Sequence, residues 1–291
     1  MLAYAHIHKT AGTTFTGILR RNFSIHHFDA RLIPPDRPPL DPRKLKRALS
    51  LYPRVDSIAG HAVRPTPELK NAFPEMRFYA FLREPRSRLV SAFMFQKKIE
   101  IMKGRWQPAS DQEIEETFLG YVDKTRSRLC KILASGVGSA DAAIEAIETQ
   151  YEFVGLVEHF DESLALFRNW IDQPNFDLRY HRMNVSRVGQ LHTNKRHAAR
   201  QQDADRLIAV TRAYAKHPET VARMTDALSA DLALFDHVRT NTFERMRRTF
   251  SAGPGPFDFE DGTAASDTIS GRLYRDLIGR PFVGRYAALG S

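Results

Sequence analysis

Cysteine is almost absent from this chain: Cys130 is the only one in 291 residues. No intrachain disulfide can form, and such sparing use suits a reducing compartment. Set in an apolar helical stretch, Cys130 reads as a small buried hydrophobe rather than a nucleophile. Long apolar runs are missing as well. Nothing approaches the roughly eighteen residues that a membrane-spanning helix needs. The chain opens on a short apolar strand, which leaves no room for a signal peptide, so the expected location is cytoplasmic. Zinc-ligand spacing, a helix-turn-helix signature, internal repeats and long low-complexity tracts are all lacking.

Two nucleotide-binding signatures are also missing. A Walker A loop places its lysine after the last glycine of G-x-x-x-x-G-K-[ST]. Here Lys9 precedes Gly12, and no glycine stands before it. No G-x-G-x-x-G fingerprint occurs either. These absences disfavour an ordinary P-loop kinase and a Rossmann dehydrogenase.

The composition is 42% hydrophobic and 26% charged, ordinary for a globular protein, and the length allows one substantial α/β core. Lys and Arg exceed Asp and Glu by 43 to 34, a formal charge of +9. Such an excess implies anionic partners: a phosphorylated nucleotide, an acidic glycan or nucleic acid. Basic residues gather at 83–88, 187–200 and 239–248. No aromatics interleave with them in the manner of a nucleic-acid platform.

The opening segment carries the strongest signal. Leu2–Ile7 reads as a buried strand, His8-Lys9-Thr10-Ala11-Gly12-Thr13-Thr14 as a loop, and Phe15–Arg21 as a helix. A strand, a loop with lysine and hydroxyls, and a helix start form a phosphate cradle from backbone N–H groups and the lysine charge. A second segment, Phe78–Phe93, repeats the order. An apolar strand ends at Arg83, Pro85 opens a helix, and Ser91 follows on it. Two anion sites at strand ends suggest a ligand with two separate phosphates. Alone, the first motif is more often a plain helix N-cap, and the second a solvated first helical turn. Their joint order makes coincidence a poor account.

Lys-Thr-Ala-Gly-Thr-Thr paired with Arg-x-Pro-x-x-Arg-Leu-x-Ser resembles the sulfotransferases that use 3′-phosphoadenosine 5′-phosphosulfate (PAPS). The closest likeness is to the carbohydrate branch, which includes heparan sulfate 2-O-sulfotransferase and its bacterial relatives. The run Phe153-Val154-Gly155-Leu156-Val157-Glu158 before a helix is also typical of that branch, and the likeness extends over about residues 2–240. The resemblance implies a three-layer α/β, P-loop-like fold with a mainly parallel central sheet flanked by helices. It implies that Lys9, Thr10, Ala11, Gly12, Thr13 and Thr14 bind the 5′-phosphosulfate, and that Arg83 and Ser91 bind the 3′-phosphate. The product would be adenosine 3′,5′-bisphosphate, and no metal is required. The family usually has proline where this chain has His8, a departure that bears on loop stiffness rather than on phosphate contact.

Between the two motifs, Val55–Arg64 reads as a further strand carrying Gly60-His61. Strand carboxyl ends face the ligand crevice of an open α/β sheet. An imidazole there titrates in the range that a base for hydroxyl deprotonation needs, and the resemblance gives His61 that role. The competing assignment is a histidine that merely caps the strand. His6, His8, His26 and His27 are rival candidates. His6 reads as a packed core residue, and His26-His27 fall on the second strand.

The rest reads as scaffold. The acidic run Asp111, Glu113, Glu115 and Glu116 is expected to be a solvated helix start rather than a metal site. Glu158 ends a strand, with a structural role favoured over acceptor contact. Segment 184–197 is expected near the crevice. Helices are expected at Pro42–Leu51, Lys124–Leu133, Ser139–Thr149, Phe160–Trp170, Asp203–Lys216 and Thr220–Arg248. A sulfotransferase domain is expected over 1–250. After it come a Gly/Pro linker at 251–256, a short docked helix at Leu273–Ile278, and apolar anchors at Phe282 and Tyr286. The expected activity is transfer of a sulfuryl group from PAPS to a hydroxyl, that of a saccharide, with Lys9 beside the leaving phosphate. The competing functions are a small-molecule kinase and a non-enzymatic polyanion or nucleic-acid binder.

Overall fold

The computed structural model describes residues 1–33, 40–52, 54–180, 195–250 and 269–277. The loop at 34–39, segment 184–194, the linker at 251–256, Phe282 and Tyr286 lie outside the described residues. In chain order the elements are β1 Leu2–Ala5, α1 Gly12–Phe23, β2 His27–Asp29, α2 Pro42–Leu49, β3 Ser57–Gly60, α3 Pro67–Ala72, β4 Arg77–Leu82 and α4 Pro85–Met102. There follow α5 Asp111–Lys124, α6 Arg128–Leu133, α7 Ala140–Gln150, β5 Phe153–Leu156, α8 Phe160–Trp170, α9 Lys195–Tyr214, α10 Pro218–Ala227, α11 Ser229–His237, α12 Phe243–Thr249 and α13 Ile269–Tyr274. No described helix is long and apolar enough to cross a membrane.

The strands form one sheet in the order β2-β3-β1-β4-β5, and every pairing is parallel. Parallel strands need a crossover between them, which accounts for the alternation of strands and helices. β1, at the centre, is buried along its whole length, the pattern of a strand covered on both faces. The fold is therefore the α/β architecture with a parallel sheet flanked by helices that the sequence predicts.

The chain divides into two compact units. The first comprises Met1–Leu82, Ile144–Met183 and His237–Ser291, and contains the entire sheet. Its core is aromatic. Phe15 on α1 lies 4.9 Å from Tyr4, 4.6 Å from Phe81 and 5.1 Å from Phe167, between ring centroids. Phe153 and Trp170 stack at 5.5 Å. Gly155 is needed here for space, because a Cβ would meet the Phe81 ring at 2.6 Å. At the sheet edge Arg20 donates to both oxygens of Asp29, at 2.8 and 2.7 Å. Asp29 is only 4% exposed. Burial alone would raise its pKa, but the contacts from His27 and Arg20 overcome this and hold the carboxyl well below its ordinary range.

The second unit comprises Arg83–Ala143 and Asn184–Asp236. Its core joins Leu89 and Phe93 of α4, Ile114, Phe118 and Val122 of α5, Leu207 of α9 and Met224 of α10. The acidic run at 111–116 opens α5, as expected. Ser110 accepts from the N–H of Glu113, whose carboxylate accepts in turn from the Ala109 N–H and the Trp106 indole. This reciprocal arrangement is a capping box. Asp111 pairs with Arg206 at 2.6 Å.

The single helix expected at Thr220–Arg248 is instead divided. Pro218 opens α10 two residues early, as proline favours at a first helical position. Leu228 closes α10, and α11 follows; a π-helical turn at Val238–Thr242 then precedes α12. The break at Leu228 is accompanied by a buried contact. Asp231, 0% exposed, accepts from the N–H groups of Leu129 and Cys130 at 3.0 and 2.9 Å, and so satisfies the start of α6. Arg88 balances its charge at 3.8 Å. Cys130 is buried beside this carboxylate, and burial first, then the Asp231 charge, pushes its thiol up to about 12. It is a packed thiol, not a nucleophile. α9 begins at Lys195, earlier than the expected Asp203. The tail helix lies at Ile269–Tyr274 (α13), earlier than the expected Leu273–Ile278; its Tyr274 ring lies 5.1 Å from Tyr52, and the Tyr274 hydroxyl donates to the Leu51 carbonyl.

Candidate functional site

β1 and β3 are neighbours, with Ala5 opposite Gly60, so the chain leaves both strands at the same end of the sheet. From β1 it enters the loop 6–11; from β3 it reaches His61. The loop is tightly folded. Lys9 and Ala11 both adopt positive φ, 68° and 57°, a conformation that costs an L-residue about 1–2 kcal/mol. Left-handed residues one apart turn backbone N–H groups toward a common concavity, the geometry of an anion nest. Thr10 is fully buried, and its hydroxyl donates to the Ile7 carbonyl at 2.9 Å. Its side chain thus braces the loop.

Ala11 is the N-cap of α1 and supplies no side-chain cap hydrogen bond to that helix. The first turn contains no acidic residue. The backbone N–H groups of such an uncapped turn and the positive end of the helix dipole suit an anion. Thr13 is exposed at this turn and Thr14 is buried. Gly12 is required by a close approach, since a Cβ there would lie 1.9 Å from His6 Nε2.

Three histidines converge beside the loop. The His61 ring lies against those of His6 and His8, at centroid distances of 4.2 and 3.6 Å. His61 Nδ1 is 2.6 Å from the His6 carbonyl oxygen. A carbonyl can only accept, so Nδ1 carries the proton and Nε2 holds the lone pair. His6 is different. Burial, then the neighbouring charges of His61, His8 and Arg31, lower its pKa to about 3. It is a neutral packing residue, as the sequence suggested.

The remaining histidine candidates serve the scaffold. His26 Nδ1 donates to the Arg54 carbonyl at 3.0 Å, and buried His27 lies between Ser57 and Asp29. Glu158 is exposed in a short 3-10 turn after β5.

Arg83 is the first residue of the second unit, immediately after β4. Of the three arginines at 83–88, Arg86 pairs with Glu84 at 3.0 Å and Arg88 with Asp231. Half-buried Arg83 has no ion-pair partner among the described residues. Ser91 is half-buried on α4. The start of α4 differs from that of α1. Glu84 is its N-cap and accepts from the N–H groups of Arg86 and Ser87, at 3.1 and 2.7 Å. A carboxylate already fills this helix end, so any second anion must be held by side chains rather than by a second backbone cradle.

Sequence reasoning did not find the left-handed Lys9 and Ala11, the Glu84 cap or the His8–His61 stack. Two of these left traces: Glu-Pro is a capping signature, and histidines at both strand ends are visible in the sequence. The chain matches no curated protein. The fold, the helix start opened by Lys9 and the histidine beside it accord with one family match that runs through residues 1–237, and by that match the chain belongs to the sulfotransferase family.

Proposed function

We propose that the chain is a PAPS-dependent O-sulfotransferase whose acceptor is a saccharide hydroxyl. The observation that carries this reading is the N-terminus of α1, left without a side-chain cap behind the left-handed Lys9–Ala11 turn and set against His61. Lys9, Thr10, Ala11, Gly12, Thr13 and Thr14 are proposed for the 5′-phosphosulfate. Arg83 and Ser91 are proposed for the 3′-phosphate. The first turn of α1, which has no side-chain cap, and the Arg83 guanidinium, which has no ion-pair partner among the described residues, fit these groups chemically.

PAPS, when bound, supplies the sulfuryl group and leaves as adenosine 3′,5′-bisphosphate. His61 Nε2 takes the proton of the acceptor hydroxyl as its oxygen bonds to sulfur. The bond from sulfur to the phosphate oxygen breaks, and Lys9 with the α1 N–H groups stabilises the charge left there. As in phosphoryl transfer, the protein acts mainly by positioning and by stabilising charge. The +9 charge favours an acidic acceptor and an anionic donor. The single buried cysteine is compatible with a cytoplasmic setting.

The test is to offer PAPS labelled in its sulfuryl group together with unsulfated polysaccharides and simple sugars. Label in the saccharide, with equal release of adenosine 3′,5′-bisphosphate, supports the proposal. Phosphorylation of the sugars by ATP with Mg²⁺, without label transfer from PAPS, would replace it with a kinase.

A further inference from the structure

His8 is the residue at which the donor loop departs from the proline usual in the family, and the structure gives its ring a definite contact. It lies 3.6 Å from the His61 ring, centroid to centroid, with 24° between planes. The His6 ring lies 4.2 Å from that of His61, with 37° between planes. The imidazole of His61 thus contacts two rings that both belong to the segment leaving β1. A histidine at a strand end can otherwise turn over about χ2, which exchanges Nδ1 with Cδ2 and Nε2 with Cε1 and so takes both nitrogens away from their partners. Here the hydrogen bond from Nδ1 to the His6 carbonyl selects one orientation, and the stacked rings restrict departure from it. The inner ring is fixed by its own packing, for His6 stacks on Tyr4 at 5.6 Å and 10°. The outer ring is exposed. It belongs to the loop, and the next residue in that loop is Lys9.

We propose that His8 is a positioning residue, whose stacked ring holds His61 in the orientation that presents Nε2 as the base and ties that base to the lysine loop. The proposal rests on His61 being the base, as argued above. His8 itself takes no proton in the reaction; an aromatic ring of similar size suffices for the stack. Because the residue is exposed, substituting it removes nothing from the core.

The experiment uses the full chain labelled with ¹⁵N-histidine, as wild type, His8→Ala, His8→Phe and His61→Ala. Long-range ¹H–¹⁵N correlation above the titration range of histidine reads the tautomer of His61, assigned by the signals that His61→Ala removes. We expect one Nδ1–H tautomer in the wild type and in His8→Phe, and averaged nitrogen shifts in His8→Ala. PAPS turnover, followed as release of adenosine 3′,5′-bisphosphate, should show kcat lowered about tenfold in His8→Ala with KM for PAPS unchanged, and largely restored in His8→Phe. An unchanged His61 tautomer in His8→Ala overturns the proposal. So does a loss that falls on KM for PAPS, which would make His8 a donor-binding residue. Wild-type turnover by His61→Ala would remove the base assignment instead, while the tautomer measurement still judges the stack.

Discussion

The Nδ1–H of His61 donates to the carbonyl oxygen of His6 at 2.6 Å. One hydrogen bond between the ends of two adjacent strands thereby decides which nitrogen of His61 is basic. The sheet register that sets Ala5 against Gly60 makes it possible. Chemistry at this site is a consequence of strand pairing.

If Nε2 is the base, His61→Ala should lower turnover of PAPS by roughly 10²–10⁴. Binding of adenosine 3′,5′-bisphosphate should stay near the wild-type affinity, because the imidazole serves the acceptor. Calorimetry beside steady-state rates separates the two effects. Parallel loss of binding and turnover would assign His61 to the donor site.

The arginines at 83–88 should separate cleanly. Arg83→Ala should weaken bisphosphate binding by about tenfold to a hundredfold, the range for losing charge-assisted hydrogen bonds. Arg86→Ala, whose guanidinium is engaged by Glu84, should change it little. Equal losses in both would mean that general charge, not Arg83, holds the ligand.

Ala11 and Gly12 should respond in opposite ways. Ala11→Gly relieves a positive φ of 57° and should raise stability by about 1 kcal/mol in denaturant melts. Gly12→Ala drives a Cβ into the His6 ring, 1.9 Å from Nε2, and should damage both stability and donor binding. A harmless Gly12→Ala would show that the loop is not packed on His6.

His6 gives the fold a pH dependence. Its folded pKa, about 3, lies below the ordinary histidine value because burial and neighbouring charges disfavour the imidazolium. The unfolded chain therefore binds the extra proton first as pH falls. His6 stabilisation is complete above about pH 6.5 and declines toward pH 3, by at most about 1.4 kcal/mol per pH unit. His6→Gln should flatten that decline, read as the melting temperature across the range.

Much of this was legible in the sequence because local signals and tertiary structure agree. The apolar run before Lys9, the one before Gly60-His61 and the one before Arg83 are strands, and α8 spans the expected Phe160–Trp170. What was hidden depends on contacts distant in sequence. Nothing in 220–248 announces that a helix must break so that Asp231 can cap α6 across about a hundred residues. Nor does the Lys-Thr-Ala-Gly pattern disclose that Lys9 and Ala11, rather than the glycine, take the left-handed turns. The stack of His8 on His61 joins residues 53 apart and exists only because β1 pairs with β3.

The central claim is a donor recognised through two separate phosphates, and calorimetry with adenosine 3′,5′-bisphosphate, 5′-AMP and ATP with Mg²⁺ tests it most directly. The account predicts metal-independent binding of the bisphosphate, at least about tenfold tighter than AMP, as expected if the second phosphate gains a charge-assisted contact. Equal affinity for AMP and the bisphosphate, or preference for ATP with Mg²⁺, would contradict it.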